Sequence, residues 1–146
     1  MNPRQPSYAT PLNRDLSLFG VRVLLVDDDD AVREVNKRVL EQCPQISVIA
    51  EASTGEDALQ LLESTKVDVV AMDLLLPGIS GIETIIKIKA NFPTVQIIVL
   101  SAYGGDLMER SVKAGSDGYV LKIYASYTLV DRLLTIANSS PRSQLP

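Results

Sequence analysis

Five short aliphatic runs, each followed by a segment with apolar residues at helical spacing, confine this chain to very few architectures. The runs are Val21–Asp28 (VRVLLVDD), Ile46–Ala52 (ISVIAEA), Val67–Asp73 (VDVVAMD), Gln96–Ala102 (QIIVLSA) and Gly118–Lys122 (GYVLK). The first, third and fourth are nearly continuous Val, Ile and Leu, as expected of central parallel strands covered on both faces. Strict alternation of strand and helix implies right-handed crossovers, and so an α/β fold with helices on both sides of a parallel sheet.

The intervening segments carry readable punctuation. Val32, Val35, Val39, Leu40 and Cys43 are expected on one face of a first helix that Pro44 ends, with Asp30 as its N-cap. Ser53-Thr-Gly-Glu56 and Ser80-Gly-Ile-Glu83 read as capping boxes that open the second and third helices. Ile82, Ile85, Ile86 and Lys89 continue the third, and Asn91-Phe-Pro93 stops it. A fourth helix spans Asp106 to Ala114, with Gly115 suited to the left-handed residue after its end. Thr128-Leu-Val-Asp131 opens a fifth, whose Leu129, Leu133, Leu134 and Ala137 can face inward. Five strands and five helices of this kind predict a doubly wound sheet of order 2-1-3-4-5, flavodoxin-like in outline.

Composition narrows the chemistry. At 146 residues, with 46 % apolar and 22 % charged, the chain has room for one domain with a full core. A net charge of −4 argues against coating nucleic acid by charge alone. There is no histidine, which removes Ser-His-Asp triads, imidazole zinc sites and any role as a phosphohistidine carrier. Cys43 is the one cysteine, so disulfide frameworks and thiolate clusters are excluded, and it is expected to be buried or inert. Residues 1–17 and 139–146, rich in Pro, Ser, Asn and Gln, read as an N-terminal tail and a C-terminal tail or linker around a domain over 18–138. The start has no apolar signal segment and no run is long enough to span a membrane, so a cytoplasmic location is expected.

In a sheet of order 2-1-3-4-5 the functional crevice lies beyond the strand carboxyl ends, where the order reverses between strands one and three. The first strand ends in Asp27-Asp28, the third in Asp73, the fourth in Ser101 and the fifth in Lys122. The second, an edge strand, ends in a plain Ala52-Ser53 turn. Three carboxylates brought together repel unless a cation sits among them, and their hard oxygens suit Mg²⁺. A metal beside a carboxylate, a lysine and a hydroxyl is the equipment of phosphoryl transfer. Without histidine the nucleophile is a carboxylate. Ser101 is the weaker candidate, because no base stands ready to activate it.

Four motifs in order, LLVDDDDAVRE, VVAMDLLLPGISGIE, IIVLSA and AGSDGYVLK, resemble the receiver domain of two-component response regulators over roughly Val21 to Asn138. The resemblance implies that Asp73 accepts a phosphoryl group from the phosphohistidine of a histidine kinase or phosphotransfer protein. It implies that Asp28 ligates Mg²⁺, that Asp27 assists through a water, and that the backbone carbonyl of Leu75 adds a ligand. Lys122 would pair with the phosphoryl group and Ser101 would hydrogen-bond it. Tyr119 matches the family's switch aromatic, although a packing residue would look the same. Pro77 and Gly81 match the turn after the phosphoacceptor. Such a domain is a switch that assists its own phosphorylation and dephosphorylation, not an enzyme with an external substrate. The Tyr103-Gly-Gly105 stretch would either shift on phosphorylation or simply connect.

One departure stands out. Most relatives follow the lysine with a cis-proline, whereas here Lys122 precedes Ile123, so the bond is expected to be trans or strained. Two rival readings remain. An aspartate-nucleophile phosphatase of the haloacid-dehalogenase type is suggested by Asp27-x-Asp29, but Ala31 breaks its pattern. A degenerate receiver would act only as an interaction module. Output is left open between protein contact, a homodimer, and a longer DNA-binding regulator of the helix-turn-helix type. The chain itself is not expected to bind nucleic acid or membrane.

Overall fold

Alternation along the chain becomes alternation between layers in the computed structural model, which describes residues 20–139. The strands are β1 (Val21–Val26), β2 (Ile46–Ala52), β3 (Val69–Met72), β4 (Gln96–Ser101) and β5 (Gly118–Leu121). They alternate with α1 (Asp30–Glu41), α2 (Gly55–Ser64), α3 (Gly81–Asn91), α4 (Asp106–Ala114) and α5 (Ala125–Asn138). The sheet is parallel with order β2-β1-β3-β4-β5, as the strand pattern predicts. The expected tail over 1–17, and residues 140–146 of the expected C-terminal segment, lie outside the described residues. No helix among the described residues is long and apolar enough to cross a membrane.

Successive strand residues point to opposite faces, so each continuous aliphatic strand feeds two cores. Val21, Val23 and Leu25 of β1, Val69 and Ala71 of β3, and Ile98 and Leu100 of β4 pack with α1 and α5. Their neighbours Leu24, Val26, Val70, Met72, Ile97 and Val99 pack on the other side with α2 and α3. β3 is buried at every position, and the edge strand β2 is buried only at its ends, Ile46 and Ala52. The hydrophobic run thus distinguishes centre from edge because only central strands are covered on both sides.

Several helix details differ from the sequence expectation. Asp29, not Asp30, caps α1. Its backbone is extended, and its carboxylate accepts from the N–H groups of Ala31 (2.9 Å) and Val32 (3.1 Å). Val35 lies off the buried face, 58 % exposed, and Asn36 takes the inward place between Val32 and Leu40 at four-residue spacing. The box expected at Ser53 is shifted by one residue, since Thr54 Oγ1 accepts from Asp57 N–H at 3.0 Å. Ser80 caps α3 as expected, through Glu83 N–H at 3.1 Å, and Gly115 is left-handed at φ 119°. α5 begins three residues before Thr128, directly after a 3₁₀ turn over Lys122–Tyr124. No side chain caps it, and the Thr128 hydroxyl instead donates to the Tyr124 carbonyl inside the helix (3.0 Å).

Candidate functional site

Register decides which side chains meet. β1 and β3 pair with Val26 opposite Met72, so the chain leaves both strands side by side, at Asp27 and Asp73. Asp73 N–H donates to Val26 O (3.0 Å) and Asp27 N–H to Ala52 O (3.1 Å), which continues the sheet bonding one residue past the strands. β4 and β5 pair with Ser101 opposite Leu121, which delivers Lys122 to the same end of the sheet.

Lys122 Nζ lies 2.9 Å from Asp27 Oδ2 and 2.9 Å from Asp73 Oδ2. The other oxygen of each carboxylate is held by backbone. Asp27 Oδ1 accepts from Asp29 N–H (2.9 Å) and Asp73 Oδ1 from Leu75 N–H (3.1 Å). Both aspartates are buried, whereas Asp28 beside them is exposed. Partial burial pulls the Lys122 ammonium towards its neutral form, but hydrogen bonds and charge from Asp73 and Asp27 outweigh this and raise its pKa above the ordinary lysine value.

The three carboxylates of Asp27, Asp28 and Asp73 each offer an oxygen within 4.8 Å of the others. Lys122 pairs with Asp27 and Asp73 while Asp28 stands beside them, so the cluster offers more hard oxygen donors than the one ammonium engages. That donor set fits a hard divalent cation, with Asp28 open to solvent as the accessible ligand.

The remaining expected residues take the following places. Leu75 presents its N–H to Asp73, and its side chain is exposed. Ser101 is fully buried; its hydroxyl accepts from Tyr103 N–H (3.2 Å) and makes no bond to Asp73 or Lys122 among the described residues. Tyr119 is half-buried on β5 and packs against the same core as Leu107 and Ala114, and its shielded hydroxyl finds no hydrogen-bond partner among the described residues. There is no cis peptide bond among the described residues, so the Lys122–Ile123 bond is trans and the chain turns at once into the 3₁₀ segment.

The turn after Asp73 divides its demands between two glycines. Gly78 carries the positive φ, 76°. Gly81 is needed for close approach, since a Cβ there would lie 2.8 Å from the Asp73 carbonyl oxygen and nearer still to Leu74 Cα. Glu56, expected in the Ser53 capping box, instead accepts from Ile79 N–H (3.2 Å) and steadies this turn. Sequence reasoning missed Arg33, whose guanidinium donates to the Asp27 carbonyl at 2.6 Å. The three-residue spacing of Asp30 and Arg33, which pair at 2.7 Å, was the available signal.

Known proteins resemble this chain in sequence and fold. The family model of the response regulator receiver domain matches residues 23–134. The response regulator UvrY of Escherichia coli (strain K12) is 38 % identical over 117 residues, covering 80 % of this chain and 54 % of UvrY. The transcriptional regulatory protein YdfI of Bacillus subtilis (strain 168) is 40 % identical over 109 residues, covering 74 % of this chain and 51 % of YdfI. The chain therefore spans about half the length of these curated relatives. Among solved structures, a two-component response regulator of the LuxR family from Aurantimonas sp. SI85-9A1 superposes with a TM-score of 0.78 at 34 % identity. That match covers 84 % of this chain and 91 % of the other. The isolated receiver of RcsB from Salmonella enterica serovar Typhimurium, solved with a beryllofluoride phosphomimetic, gives 0.77 at 26 % identity, covering 83 % and 91 %. By fold, motif and likeness together, the chain belongs to the response regulator receiver domain family.

Proposed function

We propose that this receiver is a phosphorylation-operated switch in which Asp73 accepts a phosphoryl group from a histidine kinase or phosphotransfer protein. The observation that carries the reading is the convergence of Asp73, Asp27 and Lys122, from three separate strand ends, within 2.9 Å contacts. An Asp73 carboxylate oxygen attacks phosphorus; as that bond forms, the bond from phosphorus to the donor's imidazole nitrogen breaks, and the freed imidazole takes its proton from solvent. The product is an acyl phosphate on Asp73. A Mg²⁺ ion held by Asp28 and Asp73, with Asp27 through water and the Leu75 carbonyl, would supply charge neutralisation for the transferring group.

Lys122 already bridges two carboxylates, so it has only to exchange one of them for a phosphoryl oxygen. The Ser101 hydroxyl, now an acceptor from Tyr103, retains its own O–H to donate to the phosphate and draws the 101–105 loop inward. Tyr119, with no hydrogen bond to hold its hydroxyl, is free to follow that loop and change the surface of α4, β5 and α5. The functional unit runs over 18–138 and works in the cytoplasm as a switch, without turning over an external substrate.

Incubation of the chain with acetyl phosphate and Mg²⁺, followed by intact-mass measurement, tests this. One phosphoryl group is expected on the native chain and none on Asp73→Asn. An unmodified native chain, or equal modification of the variant, would overturn the reading.

A second reading concerns output. The curated relatives include proteins named as transcriptional regulators, about twice the span matched here. The switch would then govern a DNA-binding module, with the receiver itself making no contact to nucleic acid, and homodimerisation is one route by which it would do so.

A further inference from the structure

The loop between β1 and α1 must present Asp27 and Asp28 in fixed positions, yet Asp28, Asp29 and Asp30 are all exposed. One side chain spans it. Arg33, in the first turn of α1, donates from Nη1 to the Asp27 carbonyl (2.6 Å) and from Nη2 to Asp30 Oδ1 (2.7 Å). Its Nε donates to Glu51 Oε1 on the edge strand β2 (3.0 Å). The Arg33 side chain is only 16 % exposed; its bond to the Asp27 carbonyl is partly buried, whereas those to Asp30 and Glu51 are open to solvent. The Asp27 N–H is bound in turn to the carbonyl of Ala52, the last residue of that same strand. Both polar backbone groups of Asp27 are therefore tied to β2, one directly and one through the guanidinium.

We infer that Arg33 is a positioning residue for the divalent cation: its three-way fork holds the acidic loop against β2 so that Asp27 and Asp28 stand ready as ligands. This rests on the reading of those aspartates as the cation site. Two accounts of Arg33 predict opposite signs. As a positive charge bonded to the backbone of Asp27 it would oppose a cation at that residue, so its removal would tighten binding. As a clamp it fixes the geometry of the ligands, so its removal loosens them and weakens binding in spite of the charge relieved.

The experiment uses the whole chain with Mn²⁺ as probe, bound ion being measured by electron paramagnetic resonance without any phosphodonor. In parallel, the Mg²⁺ concentration for half-maximal phosphorylation by acetyl phosphate is compared with the rate at saturating Mg²⁺. For Arg33→Gln we expect Mn²⁺ affinity to fall about tenfold, with a matching rise in the Mg²⁺ requirement and the saturating rate retained. Arg33→Lys keeps the charge but cannot make the planar fork, and is expected to recover little of the affinity. Unchanged or tighter Mn²⁺ binding by Arg33→Gln, wild-type binding by Arg33→Lys, or a lost saturating rate with an unchanged Mg²⁺ requirement would overturn the inference. If Arg33→Gln lacks a native circular dichroism spectrum, Arg33→Lys alone decides. Asp28→Asn separates the two readings. If it leaves Mn²⁺ binding intact, the cation site itself is wrong; if it weakens binding and both Arg33 variants do not, only the role of Arg33 fails.

Discussion

Gly81 shows how little freedom the backbone around Asp73 has. A Cβ at that position meets the Asp73 carbonyl oxygen and the Leu74 backbone, neither of which can swing aside as a side-chain end would. Gly81→Ala is expected to lower stability by about 2 kcal/mol, the scale of overpacking a filled site, read as a shifted urea midpoint. Gly78 differs, because its strain is conformational: at φ 76° an alanine costs about 1 kcal/mol, and the crowding neighbour is the end of the Glu56 side chain. A Gly81→Ala protein as stable as wild type would show that the turn can open. Cys43 makes a second test at this scale. Burial pushes its thiol above the ordinary value of 9.0, so the folded protein resists ionisation that the unfolded chain allows. The contribution of Cys43 to folding stability is therefore present below the unfolded value of 9.0 and is lost as pH rises from there through the raised folded value. Urea midpoints from pH 8 to 11 should decline with a component that Cys43→Ala removes. Iodoacetamide should label the thiol slowly until denaturant is added, and rapid labelling of the native protein would contradict its burial.

At the level of elements, caps and boundaries separate what the sequence makes legible from what it hides. Strand centres and their order follow from the aliphatic runs, because covering both faces of a central strand demands such residues in any context. Strand ends were read one or two residues too far: Asp27 and Asp73 still donate to a neighbouring strand after the ladder ends, whereas Asp28 and Ala102 lie in bends and Lys122 opens the 3₁₀ turn. Caps were harder. Four consecutive aspartates at 27–30 and the Ser53-Thr54 pair each offer several chemically equivalent cap candidates, and only the chain's angle of entry selects among them. Thr54→Ala should cost about 1 kcal/mol, and Ser53→Ala should cost nothing measurable by chemical denaturation. The reverse ranking would restore the box first expected at Ser53. The start of α5 could not have been found from cap chemistry, because it has no side-chain cap and grows out of a 3₁₀ turn.

Across the whole molecule, strand ends made the acidic cluster and its lysine legible, but not the place of Ser101, which ends β4 and bonds neither Asp73 nor Lys122 among the described residues. Asp27, Asp28, Asp73 and Lys122 converge as expected because register carries strand-end residues to one edge of the sheet. Arg33, and the true partner of Glu56, were hidden for the converse reason: each acts across elements distant in sequence, Arg33 on β2 and Glu56 on the turn after β3, and pattern along one element does not reveal a partner on another. A cation that binds only the folded cluster must stabilise it by mass action, by about 1.4 kcal/mol at ten times its dissociation constant. Mg²⁺ should therefore raise the melting temperature, chelation should reverse the rise, and Asp28→Asn should abolish it; a melting temperature indifferent to Mg²⁺ would count against the cation site. The central claim concerns one carboxylate, and chemical trapping reads it directly. Treating the chain with acetyl phosphate and Mg²⁺, reducing the acyl phosphate with borohydride and sequencing the peptides by mass spectrometry should place homoserine at position 73. Reduction at any other aspartate, or an intact aspartate at 73 in protein that has gained phosphate, would contradict the account.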